Sequence, residues 1–172
     1  LITTFLLIMA PIFLLGVYMY SWSINSTKAE ISRTTGSQIT SYLADLENEI
    51  ERMKLLQYGA LEDSDLNKLA ILSEAMGTIE QMERINALWN RLYAIHNSSP
   101  LIRDVRAHIY PIAKTISSES GAEELDMEHY TAIQAASSGN RSQIIEVENR
   151  LTLSAIKQYG PNRRLPLFIV EI

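Results

Sequence analysis

The chain has no cysteine, and its few glycines form no Gly-rich phosphate-binding loop. Without thiols it can build neither a disulfide framework nor a thiolate metal site, which is compatible with an extracytoplasmic bacterial domain held together by packing alone. Acidic residues outnumber basic ones, giving a net charge of -5. No basic stripe is available to displace phosphate counterions, so we expect no nucleic-acid partner.

The residue patterns that carry catalysis are also missing. There is no H-E-x-x-H motif and no zinc-type spacing of histidines. Two runs of carboxylates lie on a predicted helix face and in a predicted turn, where we interpret them as solvated surface. They are Glu47, Glu49 and Glu51, and Glu62, Asp63 and Asp65. The sequence therefore predicts no catalytic residue, no metal site and no cofactor, and we expect no enzymatic activity from these residues alone.

One long apolar run without a charge opens the chain, from residue 1 to residue 20. At about 1.5 Å per helical residue, this run covers the ~30 Å hydrocarbon core of a bilayer. It is longer than the core of a signal peptide and lacks a small-residue cleavage site. Tyr18, Tyr20 and Trp22 cluster around its end, and these residue types favour the membrane interface. These features predict an uncleaved transmembrane helix at residues 1–22, with the lipid bilayer as a partner.

A heptad pattern follows within residues 23–59. Apolar residues recur at alternating steps of four and three, while charged residues occupy the other faces. The apolar seam consists of Ile39, Leu43, Leu46, Ile50 and Met53. The pattern predicts a long amphipathic stalk helix over residues 23–59. The seam can pack only on its own domain, or it can also pair with a second subunit and so form a dimer and signalling seam.

Two further helices are predicted next. A capping residue among Asp63, Ser64 and Asp65 precedes a short helix that Gly77 ends. Thr78 and the glutamine three residues later form a capping-box pattern before a broad apolar stripe that runs down to His96.

Beyond this point the apolar period changes from that of a helix to that of a strand. Strands are predicted at 101–110 and 112–118, followed by a short helix capped by Asp126 that ends near Gly139. The last three strands are predicted at 143–147, 150–158 and 165–172. The predicted fold class is α+β, with a five-stranded antiparallel sheet packed on helices.

This order of elements resembles the extracytoplasmic part of YesM-type bacterial sensor histidine kinases, which contains a PAS-like Cache module. Several segments carry the resemblance: Leu46–Arg52, Leu56–Tyr58, Asp65–Leu69, Asn90–Tyr93, Asn97–Ser99, Val105–Pro111, Lys114–Ile116 and Pro166–Ile172. The resemblance implies a Cache sensor module at residues 60–172, incomplete if more of it follows residue 172. It places the residues after about 23 outside a bacterial cell membrane. It also implies a homodimer that signals through a two-component system, with the kinase reaction in cytoplasmic regions that residues 1–172 do not include.

A ligand site is predicted on the first strand. Its odd positions are apolar apart from Arg103 and suit the side that faces the helices. Arg106, His108 and Tyr110 then lie on the opposite face, where PAS-like modules commonly hold a ligand. Arginine can bind a carboxylate or phosphate, tyrosine can stack on a ring, and histidine titrates near neutrality. Together with Tyr130, these residues predict a site for a small-molecule or envelope-derived signal, the alternative being a solvated sheet face.

The predicted function is therefore signal sensing outside a bacterial membrane, with the long helix passing a shift in packing to the membrane helix. Two alternatives stay open. A chemoreceptor or a membrane-bound AraC-like regulator can carry a similar sensor domain. A coiled-coil scaffold of the cell envelope would use the same seam for assembly and would sense nothing.

Overall fold

The computed structural model describes residues 2–137, 142–147, 150–158 and 167–172, with side chains described from residue 9 onward. The chain divides into two compact units, Leu1–Glu49 and Ile50–Ile172. Helix α1 (Ile2–Leu61) contributes residues to both units. The stalk helix predicted at 23–59 is thus part of a longer helix. This helix continues through Gly36, although glycine is a poor helix former.

The predicted membrane span falls at the start of α1. No helix among the described side chains is both long enough and apolar enough to cross a membrane. The first eight residues of the transmembrane helix predicted at 1–22 lie outside the described side chains, so this span stays a prediction.

The heptad seam on α1 has no uniform environment. Ile39 and Leu43 are 55% and 58% exposed. Leu46 and Ile50 are partly buried, and Met53 packs against the core of the second unit. Packing on its own unit therefore accounts for Met53 but not for the first two residues of the seam.

Three shorter helices follow α1: α2 (Ser64–Leu72), α3 (Thr78–His96) and α4 (Met127–Ala136). A 3-10 turn, Ser73–Ala75, follows α2, which therefore ends well before Gly77.

Aspartates cap two of these helices: Asp63, one of the three predicted candidates for α2, and Asp126, the predicted cap of α4. The Asp63 carboxylate accepts hydrogen bonds from two backbone amides of α2, and Asp126 does the same for α4. The capping box predicted for α3 is wrong, because extended Gly77 is its N-cap and Thr78 is already helical. The end of α4 predicted near Gly139 lies outside the described residues.

The described strands form one antiparallel sheet in the order β3-β2-β1-β6-β5-β4. They are β1 (Arg106–Ile109), β2 (Lys114–Ser117), β3 (Gly121–Glu124), β4 (Gln143–Val147), β5 (Arg150–Lys157) and β6 (Phe168–Glu171). The sheet thus has six described strands instead of the predicted five. The additional one, β3, is an exposed edge strand with a single apolar residue, so it lacks the alternation that predicts a strand. The first strand is shorter than predicted because it begins at Arg106, and residues 165–166 of the last predicted strand lie outside the described residues.

Helices cover both faces of this sheet. On one face, Ala107 and Ile109 pack with leucines of α2 and α3. On the other face, Tyr130 and Ile133 of α4 pack against β4, β5 and β6. Strand β6 is buried along its whole length between β1 and β5, in agreement with a sequence that is apolar on both faces apart from Glu171.

Candidate functional site

Two central strands and α4 bring polar side chains together on one sheet face. Arg106 pairs with Glu171 in the antiparallel register of β1 and β6. Because side chains alternate along a strand, His108 lies on that same face. Helix α4 covers the face and adds His129 from its first turn. The register of two strands and the placement of one helix therefore build the site.

Three side chains form the centre, which we call the His–His–Glu cluster: His108, His129 and Glu171. Glu171 Oε2 lies 3.0 Å from His108 Nε2 and 3.1 Å from His129 Nε2. The side chains are 3%, 11% and 8% exposed, in the order His108, His129, Glu171. On its other side, His108 Nδ1 lies 2.9 Å from the hydroxyl of Thr115 on β2. The cluster is thus nearly closed to solvent and joined by hydrogen bonds.

The electrostatics of the cluster favour an ionised Glu171. Burial by itself would raise the pKa of this carboxyl, but hydrogen bonds from His108 and His129 outweigh burial and lower the pKa to about 2. The buried carboxylate therefore carries its negative charge across the physiological range and is a strong acceptor or ligand.

Two tyrosines form the wall beside the cluster. Tyr130 is fully buried, and its ring meets the His108 ring edge-on at 6.5 Å between centroids. Tyr110 stacks on Tyr130 at 6.0 Å and is 40% exposed, so it reaches the surface. Burial raises the pKa of the Tyr130 phenol, which stays neutral. His108, Tyr110 and Tyr130, predicted from the sequence as ligand-binding residues, thus lie together, while ligand binding by them stays a prediction.

The fourth predicted ligand-binding residue, Arg106, has its own partner. Its Nε donates to Asp104 Oδ2 at 2.6 Å. Asp104 also accepts hydrogen bonds from the Ser117 and Ser118 hydroxyls. Burial would raise the pKa of Asp104, but these donors and Arg106 hold it below its ordinary value. Arg106 is therefore on the predicted face but is bound to Asp104 at the edge of the site.

Sequence reasoning missed His129, Glu171 and Thr115 as members of this site. The expectation of no metal site was based on spacing along the chain, and no known motif has the separation of His108, His129 and Glu171. Only the pairing of β1 with β6 and the packing of α4 on this sheet face bring these residues together. One signal was present in the sequence: Glu171 is the single charge in an otherwise apolar strand.

A buried glutamine ties the end of α1 to the strand that carries the carboxylate. Gln57 is fully buried, and its Nε2 donates to the carbonyl oxygens of Leu153 at 2.6 Å and Val170 at 2.7 Å. Its Oε1 accepts a hydrogen bond from the Ser142 hydroxyl. Val170 immediately precedes Glu171, so a shift of β6 at the cluster also acts on the hydrogen bonds of α1.

A separate apolar cleft of about 320 Å³ lies between the end of α1 and α3. Leucines and Ile95 form half of its wall, and its two charged residues, Asp63 and Arg91, pair with each other at 2.5 Å. A ligand site usually adds a few polar groups that fix orientation, and the cleft has none free to do so. The His–His–Glu cluster is therefore the better candidate site among the described residues.

Comparisons with known proteins give no match to this chain among family models, curated proteins or solved structures. The functional assignment therefore depends on the fold, on the geometry of the cluster and on the resemblance visible in the sequence.

Proposed function

We propose that the chain is a sensory module in which the sheet face around the His–His–Glu cluster binds a signal and the end of α1 passes on the response. The observation that carries this proposal is the continuous link from the cluster through β6 to Gln57. Buried polar groups converge at one end of this link, and a helix that leaves the second unit lies at the other. In assigning the module to a membrane-bound sensor histidine kinase, we follow the resemblance to the YesM-type family.

The strand order supports a PAS-like Cache module. Without the edge strand β3, the order is β2-β1-β6-β5-β4, with the first and last strands side by side at the centre. Five antiparallel strands packed on helices after a long helix are what the resemblance to PAS-like Cache modules implies. Fold similarity does not assign a function by itself, so the cluster, and not the sheet, carries the functional argument.

The transmission step needs only a modest free energy. A signal that binds one packing of β6 and α4 more tightly than another shifts the population between the two packings. A ligand that binds one packing about 10⁴-fold more tightly than the other, a difference of about 5.5 kcal/mol, moves the two-state population from about 1:99 to about 99:1. Gln57 then carries the displacement of β6 to α1.

Attachment to a bilayer and pairing of two chains belong to the same proposal. Residues 9–22 of α1 expose most of their large apolar side chains, Phe13 and Trp22 among them. Farther along the helix, Ile39 and Leu43 are exposed as well. Lipid around the first stretch and a second copy along the heptad seam would remove this apolar surface from water.

Thermal unfolding of the full chain in detergent micelles tests the sensor function. The probes are small carboxylates, phosphates, sugars and nucleosides, whose chemistry suits the arginine, histidine and tyrosine groups at the site. A ligand at 100 times its dissociation constant stabilises by about 2.7 kcal/mol, a shift of about 5–10 °C for a chain of this size. We expect one class to give this shift, Tyr110→Ala to abolish it, and Tyr93→Ala on α3 to retain it. A shift that survives Tyr110→Ala, or no shift with any of these classes and none with a divalent metal ion, would contradict the assignment.

Exposure of the first half of the seam favours one other function, a scaffold of the cell envelope. Because the chain has no cysteine, single-cysteine variants report pairing without background. Both functions predict disulfide cross-linking of Leu43→Cys and little cross-linking of Ser41→Cys on the opposite side of the helix. Cross-linking of Leu43→Cys together with no response to any ligand would favour the scaffold.

A further inference from the structure

The donor atoms of the His–His–Glu cluster are those of a metal site. Two imidazole nitrogens and one carboxylate oxygen lie within 4.8 Å of one another. Tetrahedral zinc with ligand bonds of about 2.0–2.1 Å separates its ligand atoms by about 3.3 Å. The two measured separations between His Nε2 and Glu171 Oε2 are 3.0 and 3.1 Å. Small rotations of these side chains would place all three donors around one ion.

We propose that His108, His129 and Glu171 bind a divalent transition-metal ion, with Zn²⁺ as the expected ion. Imidazole ligands favour zinc, iron, copper or nickel, whereas Mg²⁺ and Ca²⁺ prefer sites made of oxygen alone. Three protein ligands leave a further coordination position open, which is the arrangement of zinc sites that bind an exogenous ligand.

Thr115 supports this assignment because it can serve the metal-bound state as well as the metal-free state. With the proton of His108 on Nε2, the Thr115 hydroxyl donates to Nδ1. When Nε2 binds a metal, the proton moves to Nδ1, and the same hydroxyl accepts the hydrogen bond. Metal-ligating histidines commonly have such a partner on their other nitrogen, where it fixes the tautomer and the ring orientation.

The charges around the cluster also favour the binding of a divalent cation. Glu171 supplies one negative charge to offset the ion, and Arg106, which lies opposite Glu171 in the strand register, is already neutralised by Asp104. The metal site depends only on this local geometry. That the bound metal ion is the sensed signal is a further step, which deepens the proposed function and rests on it.

Metal binding is best measured on the full chain without a histidine tag, in detergent, after treatment with a chelator. Calorimetry with Zn²⁺ gives stoichiometry and affinity, and Co²⁺ replaces Zn²⁺ to report the coordination geometry through its visible ligand-field bands. We expect one ion per chain and, for Co²⁺, a tetrahedral spectrum. Glu171→Gln and His129→Ala should each weaken binding at least 100-fold. Thr115→Val should weaken it about 10- to 100-fold.

His96→Ala is the matched control, because His96 lies on α3 outside the cluster, and it should bind Zn²⁺ like the parent chain. His129 is the more exposed of the two histidine ligands, so its variant stays informative if replacement of His108 prevents folding.

The outcomes separate the metal site from the sensor function. No binding of Zn²⁺ or Co²⁺ by the folded chain, or binding that survives both Glu171→Gln and His129→Ala, would overturn the metal site and leave a sensor for organic ligands intact. Binding of one ion that leaves the hydrogen exchange of α1 unchanged would support the metal site and contradict its role as the signal.

Discussion

Replacement of Gln57 by methionine tests the link between α1 and the sheet. Methionine has a similar length and volume, so it removes the amide without leaving a large cavity. The variant loses the hydrogen bonds to the carbonyl oxygens of Leu153 and Val170, at 2.6 and 2.7 Å, and it leaves the Ser142 hydroxyl without its present acceptor.

The expected cost follows from these contacts. Each buried hydrogen bond contributes about 1 kcal/mol net, so the two donated bonds account for about 2 kcal/mol. The Leu153 carbonyl keeps a second donor, the backbone amide of Ile172 at 2.9 Å, so it is not left unpaired and adds no further penalty. We therefore expect the free energy of unfolding of the second unit to fall by about 2 kcal/mol.

Urea denaturation followed by Trp89 fluorescence measures this change. Trp22→Phe in the background leaves Trp89 on α3 as the only tryptophan, so the signal comes from the second unit. Gln38→Met is the matched control: Gln38 is exposed on the same helix, and its replacement should change stability by less than about 0.5 kcal/mol. A change that small for Gln57→Met would refute the conclusion that this glutamine ties α1 to β6.

Three further predictions concern other parts of the second unit. Asp104→Asn should lower the free energy of unfolding by about 2–3 kcal/mol at pH 7, because the Asp104 carboxylate accepts hydrogen bonds from Ser117, Ser118 and Arg106. Chemical denaturation measures this loss. An unchanged free energy of unfolding would contradict a stabilising role for these hydrogen bonds. Folding lowers the pKa of Asp104. The ionised carboxylate should therefore stabilise the fold fully above about pH 4–5, and this contribution should be lost as the pH falls through the folded pKa. Urea midpoints measured from pH 6 to pH 2.5 should fall less steeply in Asp104→Asn than in the parent chain. Asp126→Ala should lower the free energy of unfolding by about 1 kcal/mol, because it removes the cap of α4. It should also weaken Zn²⁺ binding, because the cap orders the turn that carries His129. An unchanged Zn²⁺ affinity despite the loss of stability would argue against this positioning role of Asp126.

Local signals predicted the helices and most strands because each has a clear period or a cap. Asp126 marked the start of α4, and the alternation around Ala107 and Ile109 identified both the strand and the face that packs on α2 and α3. The edge strand β3 escaped prediction because Gly121–Glu124 is mostly exposed and contains a single apolar residue, so it has no hydrophobic pattern.

The candidate site was predictable only in part for a related reason. Alternation within one strand placed His108 on the outer face, and this required no knowledge of the sheet. The other two members of the cluster come from positions 21 and 63 residues farther along the chain, and only strand register and helix packing bring them close to His108. Sequence spacing carries no information on such contacts.

Hydrogen exchange of α1 with and without Zn²⁺ most directly tests the claim that the cluster and the end of α1 act together. Zn²⁺ bound at the His–His–Glu cluster should slow amide exchange in β6 and in residues 50–61 of α1. The protection in α1 should disappear in His129→Ala, which cannot complete the site, and in Gln57→Met, which can bind the ion but cannot pass on the change. Protection confined to β1, β6 and α4, with residues 50–61 exchanging at the same rate in both states, would contradict the coupling.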